Sequence, residues 1–125
     1  MQPYENLRVA KQARVLIKAA YAFTRTLPRN EQFELSSQMR RAALSFGLNI
    51  AEGASRQTTK EFIRFLEMAR GSGMELHFAA VVSADLELGR DDLRSTLLKE
   101  LESGQKQLSA LIASLRRRSA EGTRQ

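Results

Sequence analysis

Cysteine is absent from this chain of 125 residues, which excludes disulfides, thiolate zinc sites, iron–sulfur clusters and a cysteine nucleophile. A single histidine cannot make an ordinary zinc site without cysteine to help it. The chain has only two prolines, and nowhere does it alternate apolar with polar residues as a half-buried strand would. No run of about eighteen apolar residues occurs, and no charged leader precedes an apolar stretch and a small-residue cleavage site. Neither a membrane span nor a secretory signal is therefore expected, and the expected compartment is the cytoplasm. Aromatics make up only 6% of the chain, but 42% is hydrophobic, enough to fill the core of one compact domain with aliphatic side chains. No internal repeat is visible.

What the sequence does contain is helical periodicity. From about Glu5 to Leu27, the residues Val9, Ala13, Leu16, Ile17, Ala20, Phe23 and Leu27 recur at spacings of three and four and so share one face. Pro28 ends this segment by disfavouring the α conformation at Leu27. Asn30 offers an N-cap for a second helix with Leu35, Met39, Ala42, Ala43, Phe46 and Ile50 as its apolar stripe, and Gly53 stops it. Thr58 and Glu61 form a capping box that opens a long third helix, expected to reach Leu88 and end on Gly89. Asp91 is the expected cap of a fourth, with the stripe Leu93, Leu97, Leu101, Leu108, Leu111 and Leu115, interrupted at Gly104 where a neighbouring helix can pass close. The expected fold class is all-α, an antiparallel up-and-down four-helix bundle over residues 1–118. The tail 119–125 lacks apolar anchors and is expected to be disordered.

The third helix carries more apolar surface than one bundle can bury. Phe62, Ile63, Leu66, Ala69, Leu76, Ala80, Val81 and Ala84 make one face, and Phe65, Met68, Ala79 and Leu86 make a second beside it. A four-helix bundle buries one side of each helix. The second face, Phe65, Met68, Ala79 and Leu86, is therefore expected to be an interface between subunits of a homo-oligomer.

The stretch RRAALSFGLNIAEGASRQTTKEF, Arg40 to Phe62, invites a catalytic reading because it holds two glycines, paired arginines and a carboxylate. It does not match the phosphate-loop pattern: no strand precedes it and no lysine follows the second glycine. Glu52 has no second acid fixed near it, so a glycosidase-like carboxylate pair is not supported. At about 100° per residue, Arg41, Ser45, Asn49 and Glu52 form a polar row along the edge of the second helix's apolar stripe. The expected role is a hydrogen-bonded network tying helices together, because a buried polar group without a partner costs about 1–3 kcal/mol. The lone His77 is expected on the core side of the third helix as a satisfied structural histidine. No catalytic residue, cofactor or metal site is expected, and the chain is not expected to be an enzyme.

The order of Pro28, Gln38-x-Arg40-Arg41-Ala42, Ser45, the run NIAEG from Asn49 to Gly53, and KEFIRFLEMARGSGMEL from Lys60 to Leu76 resembles the four-helix-bundle family of bacterial 23S rRNA intervening-sequence proteins. The resemblance covers about Leu27 to Leu88; Phe46 and Gly47 depart mildly from the family pattern, in packing rather than chemistry. It implies an up-and-down bundle assembled into a ring, a homopentamer, with no catalytic residues to transfer. The chain is similar, more remotely, to the accessory proteins of diversity-generating retroelements, basic rings that bind nucleic acid and a reverse transcriptase.

Charge along the chain is segmental. Residues 1–29 hold six lysines and arginines against one acid, whereas residues 58–89 hold three against five. On the first helix, Lys11, Arg14, Lys18, Arg25 and Arg29 fall within an arc of about 60°, opposite the apolar face. A solvated helix face ordinarily mixes signs to gain pairs four residues apart. A stripe of one sign, repeated around an oligomer, is what backbone binding to a nucleic acid requires, with structured RNA favoured. Two tyrosines are too few to support single-strand stacking. Arg116, Arg117 and Arg118 end the last helix, where cations favour the negative end of the helix dipole. The function expected is an oligomeric helical module that binds nucleic acid through Lys11, Arg14, Lys18, Arg25 and Arg29, as an accessory to a partner protein. The alternative is a protein-binding scaffold that presents the same helix to an acidic protein.

Overall fold

A computed structural model describes residues 2–124, with side chains described for residues 2–120. After a 3-10 turn at Pro3–Asn6, four helices follow: α1, Arg8–Thr24; α2, Leu35–Ala54; α3, Thr59–Asp85; and α4, Asp91–Arg124. No strand occurs among the described residues. Each helix packs on its neighbours in the chain, and α4 returns to close on α1. The pairs are antiparallel: Ala13 and Ile17 lie by Gly47 while Thr24 lies by Arg40, and Ser45 meets Ser72 while Gly53 meets Phe65. Likewise Gln12 reaches Glu100 and Thr26 reaches Arg90. The fold is an up-and-down four-helix bundle. No described helix is long and apolar enough to cross a membrane.

The helix boundaries differ from the sequence expectation in three places, each for a local reason. The first helix starts at Arg8, after the 3-10 turn, and stops at Thr24. The second starts at Leu35 and not after Asn30, because the intervening segment serves the end of α1. Gln32 Nε2 donates to the carbonyl of Leu27 (3.0 Å) and, at 3.5 Å, to that of Thr24, which also accepts from Leu27 N–H (3.1 Å), so the side chain helps to satisfy the acceptors past the last turn of the helix. The third helix ends at Asp85. There Leu88 N–H bonds back to Ser83 O (2.9 Å) and Glu87 N–H to Ala84 O (3.0 Å), the paired bonds of a Schellman motif. The left-handed residue of that motif is Glu87 (φ 57°), and Gly89 (φ +79°) follows in the connection.

Of the other start signals, the capping box holds and the expected cap at Asp91 does not. Thr58 Oγ1 accepts from Glu61 N–H (3.1 Å), one half of the expected capping box. Asp91 is the first residue of α4, with its carboxylate bound by the Arg94 side chain instead of a backbone N–H. Asp92 accepts from Leu93 N–H (2.9 Å) and from Arg90, and the Arg90 side-chain hydrogen bond holds its carboxyl below the usual carboxylate range. The expected disorder of 119–125 falls mostly on side chains outside those described; the described helix extends through Arg124.

The core is a single cluster. From α1 it takes Val9, Ala13, Leu16, Ala20 and Phe23, from α2 Met39, Ala43, Phe46 and Ile50, and from α4 Leu97, Leu101, Leu108, Ile112 and Leu115. Ile17, Leu93 and Leu111 are half-buried at its edge. A Cβ at Gly104 would stand 3.3 Å from the Phe46 ring, the close approach foreseen there.

The inward side of α3 is built mainly from small residues. Ala69, Ser72, Gly73, Ala80 and Ser83 are buried together with Leu66 and Leu76. A Cβ at Gly73 would collide with the Gln105 amide of α4, at 2.1 Å from its nitrogen. A Cβ at Gly53 of α2 would stand 2.9 Å from Phe65 Cβ. Small side chains let the neighbouring helices approach closely. The large apolar residues Met68, Met74, Phe78, Val81 and Leu86 face outward.

Candidate nucleic-acid interface

Helix α1 buries its apolar face against α2 and α4, so the opposite face is left to solvent. Lys11, Arg14, Lys18 and Arg25 are exposed on that face, and Arg29 is exposed in the 3-10 turn Arg29–Glu31 beyond it. None of the five forms a salt bridge with a described residue. The single acid of the segment, Glu5, lies in the turn before the helix. It lines the same groove as Lys11 and Arg14 and offsets at most one of the five charges, so solvent or a polyanion must answer the rest. Arg116 differs from them, because its guanidinium lies 3.7 Å from Glu67, which Arg70 also approaches (3.5 Å).

Between α1 and α2 runs a groove on the side where Lys11 and Arg14 stand. Its walls are Ala13 and Ile17 on one helix and Leu44, Gly47 and Leu48 on the other, with Tyr4 at one end. Gly47 keeps the floor low, since a Cβ there would approach Ile17 to 3.1 Å. Leu48 is 66% exposed. The sequence reading did not single out Leu44 or Leu48; both lie outside the apolar stripe of their helix, and only their spacing of four residues hints at a shared outward face.

The polar row on α2 divides into two parts. Ser45 Oγ and Ser72 Oγ are 2.8 Å apart, and Asn49 Nδ2 donates to Ser45 Oγ (3.1 Å) and Ser45 O (2.9 Å). That pair joins α2 to α3. Arg41 and Glu52 stand outside it: Arg41 is exposed without a hydrogen bond to a described residue, and Glu52 is exposed and paired with Arg56 one turn on. The network expected of four residues is formed by Ser45 and Asn49, with Ser72 supplied by α3.

The residues expected at a subunit interface on α3 differ in exposure. Ala79 is half-buried and packs against the core. Phe65 is half-buried, with the guanidinium groups of Arg56 and Arg64 over its ring at 4.8 and 5.2 Å. Met68 and Leu86 are exposed on the flank that leans toward α2. The outermost apolar line is instead Met74, Phe78 and Val81, with Phe78 70% exposed. His77 is exposed rather than buried in the core, and lines a groove between α3 and α4 with Met74, Leu98 and Glu102.

The sequence reading also missed Arg94. Its side chain is 6% exposed, with the guanidinium 5.1 Å from the Phe23 ring centroid and donating to Ser83 Oγ (2.9 Å), to Leu88 O and to Asp91. This cation serves the end of α3 and not a ligand.

Fold and surface together define a small all-α bundle with a line of exposed cations on its first helix and the turn beyond it, none ion-paired with a described residue. The chain belongs to the 23S rRNA-intervening sequence protein family, whose model matches residues 5–110. No curated protein matches it.

Proposed function

We propose that this protein is a non-enzymatic helical module, assembled as a homopentameric ring, that binds structured RNA through the outer face of α1 as an accessory to a partner protein. The observation that carries the reading is the set Lys11, Arg14, Lys18, Arg25 and Arg29, all exposed and none ion-paired with a described residue. An isolated cation is bland, but three of one sign on α1, continued by Arg25 at its end and Arg29 in the turn beyond, match a repeating backbone charge. The family's name, which ties it to intervening sequences of 23S rRNA, favours RNA as the polyanion. The binding is to the backbone: no aromatic platform lies on this face, and reading of base edges is not part of the proposal. Ring assembly multiplies the stripe, so affinity depends on subunit number as well as on each contact.

Retention of a structured RNA across a salt series tests the proposal. The wild type is expected to bind at about 50 mM salt and to weaken with a log–log slope of about −0.7 to −0.9 per phosphate neutralised. The triple variant Lys11→Glu, Lys18→Glu, Arg25→Glu keeps the core untouched and is expected to lose binding, while the corresponding Gln variant falls between. Reversing Arg116 and Arg117 has a smaller effect, because Arg116 already pairs with Glu67. Equal binding by parent and triple variant, or no retention by either, would replace RNA with an acidic protein as the partner of this face.

A further inference from the structure

We propose that one copy of this chain seats the Met74–Phe78–Val81 ridge of α3 in the α1–α2 groove of the next, forming a head-to-tail contact between unlike surfaces. The inference rests on the reading of the protein as an oligomer and names the two surfaces that would build it.

The shapes are complementary in kind. Met74, Phe78 and Val81 sit at spacings of four and three on α3, 64%, 70% and 40% exposed, so they form one projecting line along about two turns. The α1–α2 groove is an apolar recess of similar character, walled by Leu44 and Leu48 and kept open by Gly47 over Ile17. A helical ridge of apolar anchors laid in an apolar groove is a recurrent mode of helix recognition.

Charge decides which surface meets which. Around the ridge, Glu75, Asp85 and Glu87 are exposed, and no lysine or arginine occurs between Met74 and Glu87. At the groove, Lys11 and Arg14 line the wall and Glu5 stands beside Tyr4 at its end, so the cations outnumber the acid. None of these groups is ion-paired with a described residue. Lys99 and Lys106 line the α3–α4 groove beside Met74, with Lys106 paired to Glu102, so the surroundings of the ridge stay net negative while the α1–α2 groove is net positive. Ridge against groove therefore sets surfaces of opposite net charge together, and opposed patches of this kind fix register and suppress the wrong pairing. Because the surfaces lie on different helices, each copy can offer both at once. Such a heterologous contact propagates from copy to copy and makes a ring if the rotation closes. Lys11 and Arg14 would then be shared between the contact and the nucleic-acid face, leaving Lys18, Arg25 and Arg29 clear of it.

Two variants and their mixture test the contact, read by light scattering at micromolar concentration with circular dichroism as a control for folding. Phe78→Glu destroys the ridge and keeps the groove; Leu48→Glu destroys the groove and keeps the ridge. Both positions are exposed, so helicity and melting temperature are expected to match the parent. Each variant alone is expected at the monomer mass. Mixed in equal amounts they are expected to give a species of twice that mass and no larger, because one intact ridge then meets one intact groove. A wild type that is itself monomeric overturns both this contact and the oligomer reading. If the wild type is oligomeric but Leu48→Glu keeps the parental mass, or the mixture stays monomeric, this contact is wrong while the oligomer stands. No RNA enters the measurement; because Lys11 belongs to both surfaces, the double variant Lys18→Glu, Arg25→Glu, expected to keep the parental mass, separates loss of RNA binding from loss of assembly. A charge exchange supplies a second measurement: Glu75→Lys with Asp85→Lys should dissociate the oligomer, and adding Lys11→Glu with Arg14→Glu in the same chain should restore its mass. Failure of that restoration overturns the assignment of these charges to one contact.

Discussion

Arg94 shows how a charged residue can belong to a core. The bundle surrounds its guanidinium with a ring face, a hydroxyl and a backbone carbonyl, so the desolvation cost is offset by hydrogen bonds and by the Phe23 π-system. Replacing it with leucine would leave Ser83 Oγ and Leu88 O without that donor, and the expected loss is about 1–3 kcal/mol in urea unfolding. Arg41→Ala and Glu52→Ala, in contrast, are expected within about 0.5 kcal/mol of the parent, because both side chains are exposed. Ser72→Ala should cost about 1 kcal/mol by removing the link to Ser45. The residues concerned explain what a sequence reader can find. Ser45 and Asn49 are visible as a pair four apart, but the partner Ser72 comes from another helix and leaves no trace in local spacing. Arg94 sits three residues before Leu97 on a leucine stripe, and an arginine there reads as solvated because nothing nearby announces the ring of Phe23.

Among the helices, α1, α2 and α4 were legible in their core stripes because each has one apolar face and one wet face, which is the condition under which periodicity gives direction. Helix α3 has apolar residues on both sides, and spacing found Leu66, Ala69, Leu76 and Ala80 of its inward set but grouped with them Val81 and Ala84, which are exposed. Close packing decides: Ala69, Ser72, Gly73, Ala80 and Ser83 fit where neighbouring helices approach, and Phe78 does not. Helix ends were less legible where side chains reach back to satisfy a preceding element, as Gln32 does for α1. The end of α3 gives a sharp test. Glu87 holds a left-handed conformation that costs a side-chain-bearing residue about 1–2 kcal/mol. Glu87→Gly is therefore expected to raise stability by about 1 kcal/mol. Gly89→Ala should lower it by more than the backbone term alone, since its Cβ would stand 2.7 Å from the Phe23 ring. Thermal unfolding of the two variants beside the parent checks both signs.

At the scale of the whole molecule, the bundle separates its tasks by face. Cations stand on the outer side of α1, apolar anchors on the outer side of α3, and the residues that hold the helices together lie between. The same topology has a consequence in time. Three of the four helix pairings join consecutive helices, and only α4 on α1 brings distant parts of the chain together, so little loop-closure entropy must be lost before contacts are gained. Refolding is expected within about milliseconds or faster. The α2–α3 hairpin has the most extensive packing and a connection of four residues, 55–58, which makes it the natural nucleus. Leu66→Ala in that hairpin should then slow refolding in stopped-flow measurements, whereas Leu108→Ala, which weakens the late closure by α4, should chiefly speed unfolding. The reverse pattern would place the nucleus at the closure of α4 on α1. With the hairpin first, the ridge of α3 exists before the groove that α1 completes, so a newly made chain would expose its most apolar surface while its own recess is still forming.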